Sequence, residues 1–205
     1  MRRGSKVVMI GAAVVAALVG VAIAAQSPPP GAERLQYSSA GELIRPVDYR
    51  DWVFVSSGLG MAYGPNAQAA GRPPSFTNVF VNPSSYRRFM ETGTWPDQTM
   101  FILEIRASAS EGSINTSGHY QAELVAVEAE VKDRARYPDG WAYFDFGHAA
   151  DRAAPLPTTA TCYSCHKNNA AVEQTFVQFY PTLMEVARRM KTVNPAYSDR
   201  PGVRH

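Results

Sequence analysis

The pentad Cys162-Tyr163-Ser164-Cys165-His166 constrains this chain more than any other stretch, because it holds both cysteines and sets a histidine directly after the second. Two thiols with two residues between them match the separation of the vinyl groups of a porphyrin, and a histidine in the next position can swing its ring beneath the metal. The pattern therefore predicts one covalently held haem c, attached through Cys162 and Cys165 and ligated at iron by His166. Two other uses of paired thiols stay open on sequence alone. One is a disulfide or redox pair. The other is a zinc site, which needs four ligands and would have to draw on His119, His148 or His205.

The N-terminus points to export. Arg2, Arg3 and Lys6 precede an apolar run over residues 7–25 dominated by alanine and valine, residues 22–24 have the small-x-small form of a cleavage site, and a proline run follows. We expect a signal peptide over residues 1–25, cleaved after Ala24 or Ala25; the alternative is an uncleaved anchor, since about 20 apolar residues can span a bilayer. Either places the rest of the chain in the periplasm. Of the 20 basic residues three lie in this leader, against 18 acidic residues overall. The remainder is near neutral, which argues against a nucleic-acid surface.

Residues 26–44, rich in Pro, Gly, Ser and Ala, read as a flexible linker, residues 45–192 as the haem domain and residues 193–205 as a tail. Aromatic and β-branched residues mark strands over 52–55, 76–81, 100–106, 119–132 and 141–146. A helix is predicted from Pro83, capped by Asn82 and ended by Gly93, with Tyr86, Phe89 and Met90 on its buried face. A second helix starts at Pro181 and buries Leu183, Val186, Ala187 and Met190. Residues 149–161 read as a Pro and Ala linker into the pentad. The fold class is α+β: a mainly antiparallel sheet with a few helices and the haem site near the C-terminus.

Candidates for the apolar wall of such a site are Phe54, Phe76, Phe80, Phe101, Tyr120, Trp141, Phe144, Phe176 and Phe179. The sixth iron position decides between electron carriage and small-molecule binding. Met61, Met90, Met100, Met184, Met190, His119 and His148 are the side chains that could fill it.

Residues 169–183 (NAAVEQTFVQFYPTL) resemble the cytochrome P-460 family. So do residues 80–83 (FVNP), 92–97 (TGTWPD), 100–104 (MFILE), 131–133 (VKD) and 140–146 (GWAYFDF), in the family's order. The resemblance spans residues 46–183. It implies a predominantly antiparallel domain, a homodimer and a high-spin, five-coordinate haem. Two activities are implied: binding of nitric oxide and carbon monoxide, as in cytochrome c'-beta, or oxidation of hydroxylamine by a haem further cross-linked to a lysine, with electrons passed to a soluble cytochrome partner. The first is our leading expectation, the second its alternative, and a plain electron carrier the third. Of the four lysines, Lys6, Lys132, Lys167 and Lys191, only Lys132 is placed for a cross-link; its ordinary reading is a solvated residue at a strand end beside Asp133. Hydroxylamine chemistry would also need a pocket base, for which Glu104, Glu128 and Asp145 are the available carboxylates, and Arg106 could steady an oxyanion.

Overall fold

The structure, a computed structural model, describes residues 34–61 and 73–198. Strands β1 (Leu43–Ile44), β2 (Val53–Leu59) and β3 (Phe76–Val81) lead into helix α1 (Pro83–Thr92), then β4 (Met100–Ala109), β5 (Tyr120–Lys132), β6 (Trp141–Asp145) and β7 (Arg152–Ala153). Helices α2 (Thr161–Asn169), α3 (Pro181–Met190) and α4 (Pro195–Ser198) follow. Strands β2 to β6 form one five-stranded sheet in sequence order, each antiparallel to its neighbour, so the α+β class is as the sequence predicts.

Alternation along the strands sorts the core into two. Phe101 of β4 and Trp141 of β6 face the helical layer and pack with Phe89, Leu183 and Val186. Met100, Ile102, Val127, Ala129 and Val131 face the other way, onto Leu43, Tyr49 and Trp52. On β5 this parity sends Glu128, Glu130 and Lys132 to the helical side. Three ionisable residues in a row on an inward face must find partners there, because an unpaired buried charge is costly.

Helix α1 begins at Pro83 and ends at Gly93, whose φ of 70° is the left-handed cap that glycine adopts without strain. A Cβ at Gly93 would also stand 2.7 Å from the Thr192 hydroxyl. Asn82 precedes the helix as expected, but its side chain makes no capping bond. Its Oδ1 accepts the Met100 N–H at 2.9 Å and its Nδ2 donates to the Gln98 carbonyl at 3.3 Å, tying the helix start to β4 instead.

Two boundaries differ from expectation. Residues 34–44 were assigned to the linker, yet Leu43 is fully buried, β1 pairs with β7, and Tyr37 donates to the Asp133 carboxylate at 3.3 Å. The ladder is two residues long and its partner lies more than a hundred residues away, so no local pattern announces it. Burying a leucine side chain contributes about 1.5–3 kcal/mol, enough to fix so short a ladder. The expected tail is likewise folded at its start: Asn194 Nδ2 donates to the Ala170 and Glu173 carbonyls at 2.8 and 3.0 Å. The leader, residues 26–33 and the end of the tail lie outside the described residues. Among the described residues no helix is long and apolar enough to cross a membrane.

Glu104 and Arg106 fall on the sheet face away from the helices, which removes both from the pocket roles considered for them. Glu104 is 2% exposed and accepts from Tyr49 Oη at 2.6 Å, Arg106 Nε at 2.7 Å, Arg50 Nε at 2.8 Å and Asn78 Nδ2 at 3.2 Å. Burial alone would raise its carboxyl, but these donors outweigh burial and hold it at about 2, against an ordinary 4.5. A folded-state value below the unfolded one stabilises the protein above about pH 4.5 and is lost as pH falls towards 2. The shift corresponds to about 3 kcal/mol. Urea midpoints followed down through this window should therefore fall more steeply for the wild type than for Glu104→Gln, and parallel curves would contradict the assignment.

Candidate functional site

The pentad lies on α2, an element that apolar periodicity could not reveal because none of its residues is buried. Positions 162, 165 and 166 are spaced by three and four, so helical winding brings both thiols and the imidazole to one face. That face borders a cavity of about 290 Å³ lined by Cys162, Cys165 and His166, by Glu128, Glu130 and Tyr143, and by Phe101, Leu103, Val79, Phe176, Phe179 and Tyr180 among others. Helix α2 packs on β6: the Tyr143 ring meets Tyr163 edge-on at 4.8 Å and His166 at 4.5 Å. On its other side the imidazole lies 4.3 Å from the Phe176 ring.

His166 is held by one nitrogen. Its Nδ1 stands 2.8 Å from the Gln174 carbonyl oxygen and 3.3 Å from Glu130 Oε1. A carbonyl can only accept, so Nδ1 carries the proton, which leaves the Nε2 lone pair for a metal. Burial would lower the histidine's proton affinity, but the Glu130 carboxylate and the Gln174 carbonyl together raise it above its ordinary value. Burial and the Glu128 carboxylate push the Cys162 thiol up. That is the reverse of what a redox-active cysteine needs. The two thiols are free, and among the described residues no group of three His, Cys, Asp or Glu could hold a metal ion.

The remaining predicted residues disperse. Glu128 does line the cavity, and burial together with nearby Asp145 raises its carboxyl. Asp145 is exposed and accepts the Gly147 N–H at 2.7 Å, so it braces the turn after β6 instead of entering the cavity. Lys132 is neither solvated nor a lining residue. It is 2% exposed; its Nζ donates to the Trp95 carbonyl at 2.7 Å and to the Glu173 carboxylate, and it lies 5.5 Å from the centroid of the Trp141 ring. Lys167 and Lys191 are exposed, and no described lysine lines the cavity. Of the candidate sixth ligands only Met61 borders it. Met100 and Met184 belong to the two cores, Met90 packs on the helical one, Met190 is part-exposed, and His119 and His148 are at the surface.

Phe101, Phe144, Phe176 and Phe179 of the expected aromatic wall do line the cavity. Sequence reasoning missed Glu130, Tyr143, Leu103 and Tyr180. The signal for Glu130 was available: Val127, Ala129 and Val131 alternate as a buried face, which leaves 128, 130 and 132 to share the other.

An apolar cavity with two thiols and an imidazole on one helical face, the imidazole already turned by a carbonyl at Nδ1, fits a c-type haem. No curated protein matches the chain. A family model described as Cytochrome P460 matches residues 46–177, well over half of its length. The chain thus belongs to the cytochrome P460 family and is a haem-c cytochrome.

Proposed function

We propose that the protein is a periplasmic monohaem cytochrome whose Cys162 and Cys165 form the two thioethers, whose His166 ligates iron through Nε2, and whose sixth iron position is open to nitric oxide, carbon monoxide or another small nitrogen oxide. The haem supplies an iron centre that takes up such diatomic ligands. The chain's own residues hold it, orient the histidine and exclude water.

One observation carries this reading. Helix α2 packs at the β6 end of the sheet, while the lining from the far strands is Ser56 and Gly58 of β2, Thr77 and Val79 of β3, and Leu103 of β4. That side offers no imidazole, amine or carboxylate among the described residues. Such uncharged walls suit a neutral diatomic ligand, since they strand no charge, and among the described lining residues Met61 is the side chain left to compete for iron. Among the described residues no lysine lines the cavity, which speaks against a cross-linked haem. Glu128 favours a second reading, oxidation of hydroxylamine by a haem held through thioethers alone: a part-buried carboxyl with raised proton affinity in the cavity is suited to take the substrate's protons.

The leader supports the periplasmic location, and a soluble cytochrome is the electron partner that either reading would use. A homodimer accords with Phe54 and Leu59, half exposed on β2, which is an edge strand of the sheet.

Met61 provides the test. The ferrous protein should be high-spin, bind carbon monoxide and nitric oxide, and keep its spectrum in Met61→Leu. A low-spin ferrous protein that ignores carbon monoxide, and turns high-spin in Met61→Leu, would make Met61 the sixth ligand and the protein an electron carrier.

A further inference from the structure

The ion pair of buried Lys132 and part-buried Glu173 takes no part in that chemistry, yet it sits one residue from the group that holds His166. Residues 172–175 form a tight turn closed by a bridge between Val172 and Thr175, with Glu173 at a φ of 51°. The turn is anchored on both sides of Gln174. On one side the Glu173 carboxylate accepts from Lys132 Nζ and from the Trp95 N–H at 3.1 Å. On the other, the Thr175 hydroxyl accepts from Trp95 Nε1 at 2.8 Å and donates to the Val172 carbonyl at 2.8 Å. Lys132 Nζ also donates to the Trp95 carbonyl, so the Glu173 side chain is held by Trp95 and Lys132 while Asn194 Nδ2 holds the Glu173 backbone carbonyl.

Between the anchors the Gln174 carbonyl meets His166 Nδ1 at 2.8 Å, while Glu130 Oε1 waits at 3.3 Å. A neutral imidazole has one N–H to give and here two acceptors compete for it. The choice matters, because a hydrogen bond to a carboxylate is charge-assisted and stronger, and would give the ring more imidazolate character than one to a neutral carbonyl. An ion pair with its lysine buried is a poor device for stability, since apolar residues of similar volume commonly do as well. Its use here is position.

We propose that Lys132 and Glu173 are positioning residues for His166: by clamping the 172–175 turn they direct the His166 Nδ1–H hydrogen bond to the Gln174 carbonyl and away from Glu130. The inference rests on His166 being the iron ligand.

Resonance Raman spectra of the ferrous holoprotein report the iron–histidine stretch directly, and a redox titration reports its consequence. Glu173→Gln should move the stretch to higher frequency and lower the midpoint potential, as Glu130 becomes the acceptor of the Nδ1–H hydrogen bond. Lys132→Met/Glu173→Gln leaves no unpaired charge to unfold the protein, and should do the same. Adding Glu130→Gln to either should cancel both shifts. A folded double variant with covalent haem, lowered stability and an unshifted stretch would overturn the inference alone. A wild type with no iron–histidine stretch would overturn the His166 reading and this inference with it.

Discussion

Replacing Cys162 and Cys165 together by alanine will leave the exported protein without covalently bound haem, a complete loss readable by haem staining of a denaturing gel. The expectation follows from geometry as well as motif. The two thiols are the chain's only cysteines, both border the cavity from one face of α2, and neither is tied up in a disulfide. Each single variant should keep one thioether and stain more weakly. His166→Ala removes the only imidazole in the lining among the described residues, so haem that is still attached should lose its histidine ligand and the iron–histidine stretch. Covalent haem surviving in the double variant would mean attachment elsewhere in the chain.

Trp95→Ala should be the most destabilising single change in the core, costing about 3–5 kcal/mol. Trp95 is 2% exposed, stacks on Phe89 with centroids 4.1 Å apart and meets Phe101 edge-on at 4.7 Å. Removing the indole forfeits its burial, opens a cavity between α1 and β4, and takes away the donor that Thr175 Oγ1 accepts. For a domain of this size such a loss lowers Tm by roughly 6–20 °C, measurable by circular dichroism. Trp52 is the contrast. It is 7% exposed and its Nε1 has no hydrogen-bond partner among the described residues, so Trp52→Phe sacrifices no polar contact there and should cost less than Trp95→Phe. Equal losses in Trp52→Phe and Trp95→Phe would show that the Trp95 hydrogen bond contributes nothing beyond buried area.

The parts of this molecule that were legible in its sequence are those with local causes. The strand over 76–81 and the helix from Pro83 to its glycine cap are written in neighbouring residues, and α3 carries its apolar stripe between Pro181 and Met190. Helix α2 was not legible, because its sequence is chosen for what it binds and its residues stay unburied. β1 and β7 were not, because neither is stable without a partner across the chain.

The same divide runs through the site. The pentad announces attachment by spacing alone and the alternation of Val127, Ala129 and Val131 places Glu130, but that Glu104 shares the face of Val127, opposite to Glu130, requires the register of β4 against β5. Lys132 looked solvated because its carboxylate partner lies 41 residues further on. Gln174 had no signal at all, since its contribution is a backbone carbonyl.

Peptide mapping of the purified, exported protein tests the central claim most directly. Trypsin cuts after Arg152 and Lys167, releasing residues 153–167 with both cysteines. The account predicts that this fragment carries one haem and no second peptide. A fragment without haem, or one joined through the haem to a lysine-bearing peptide, would contradict it.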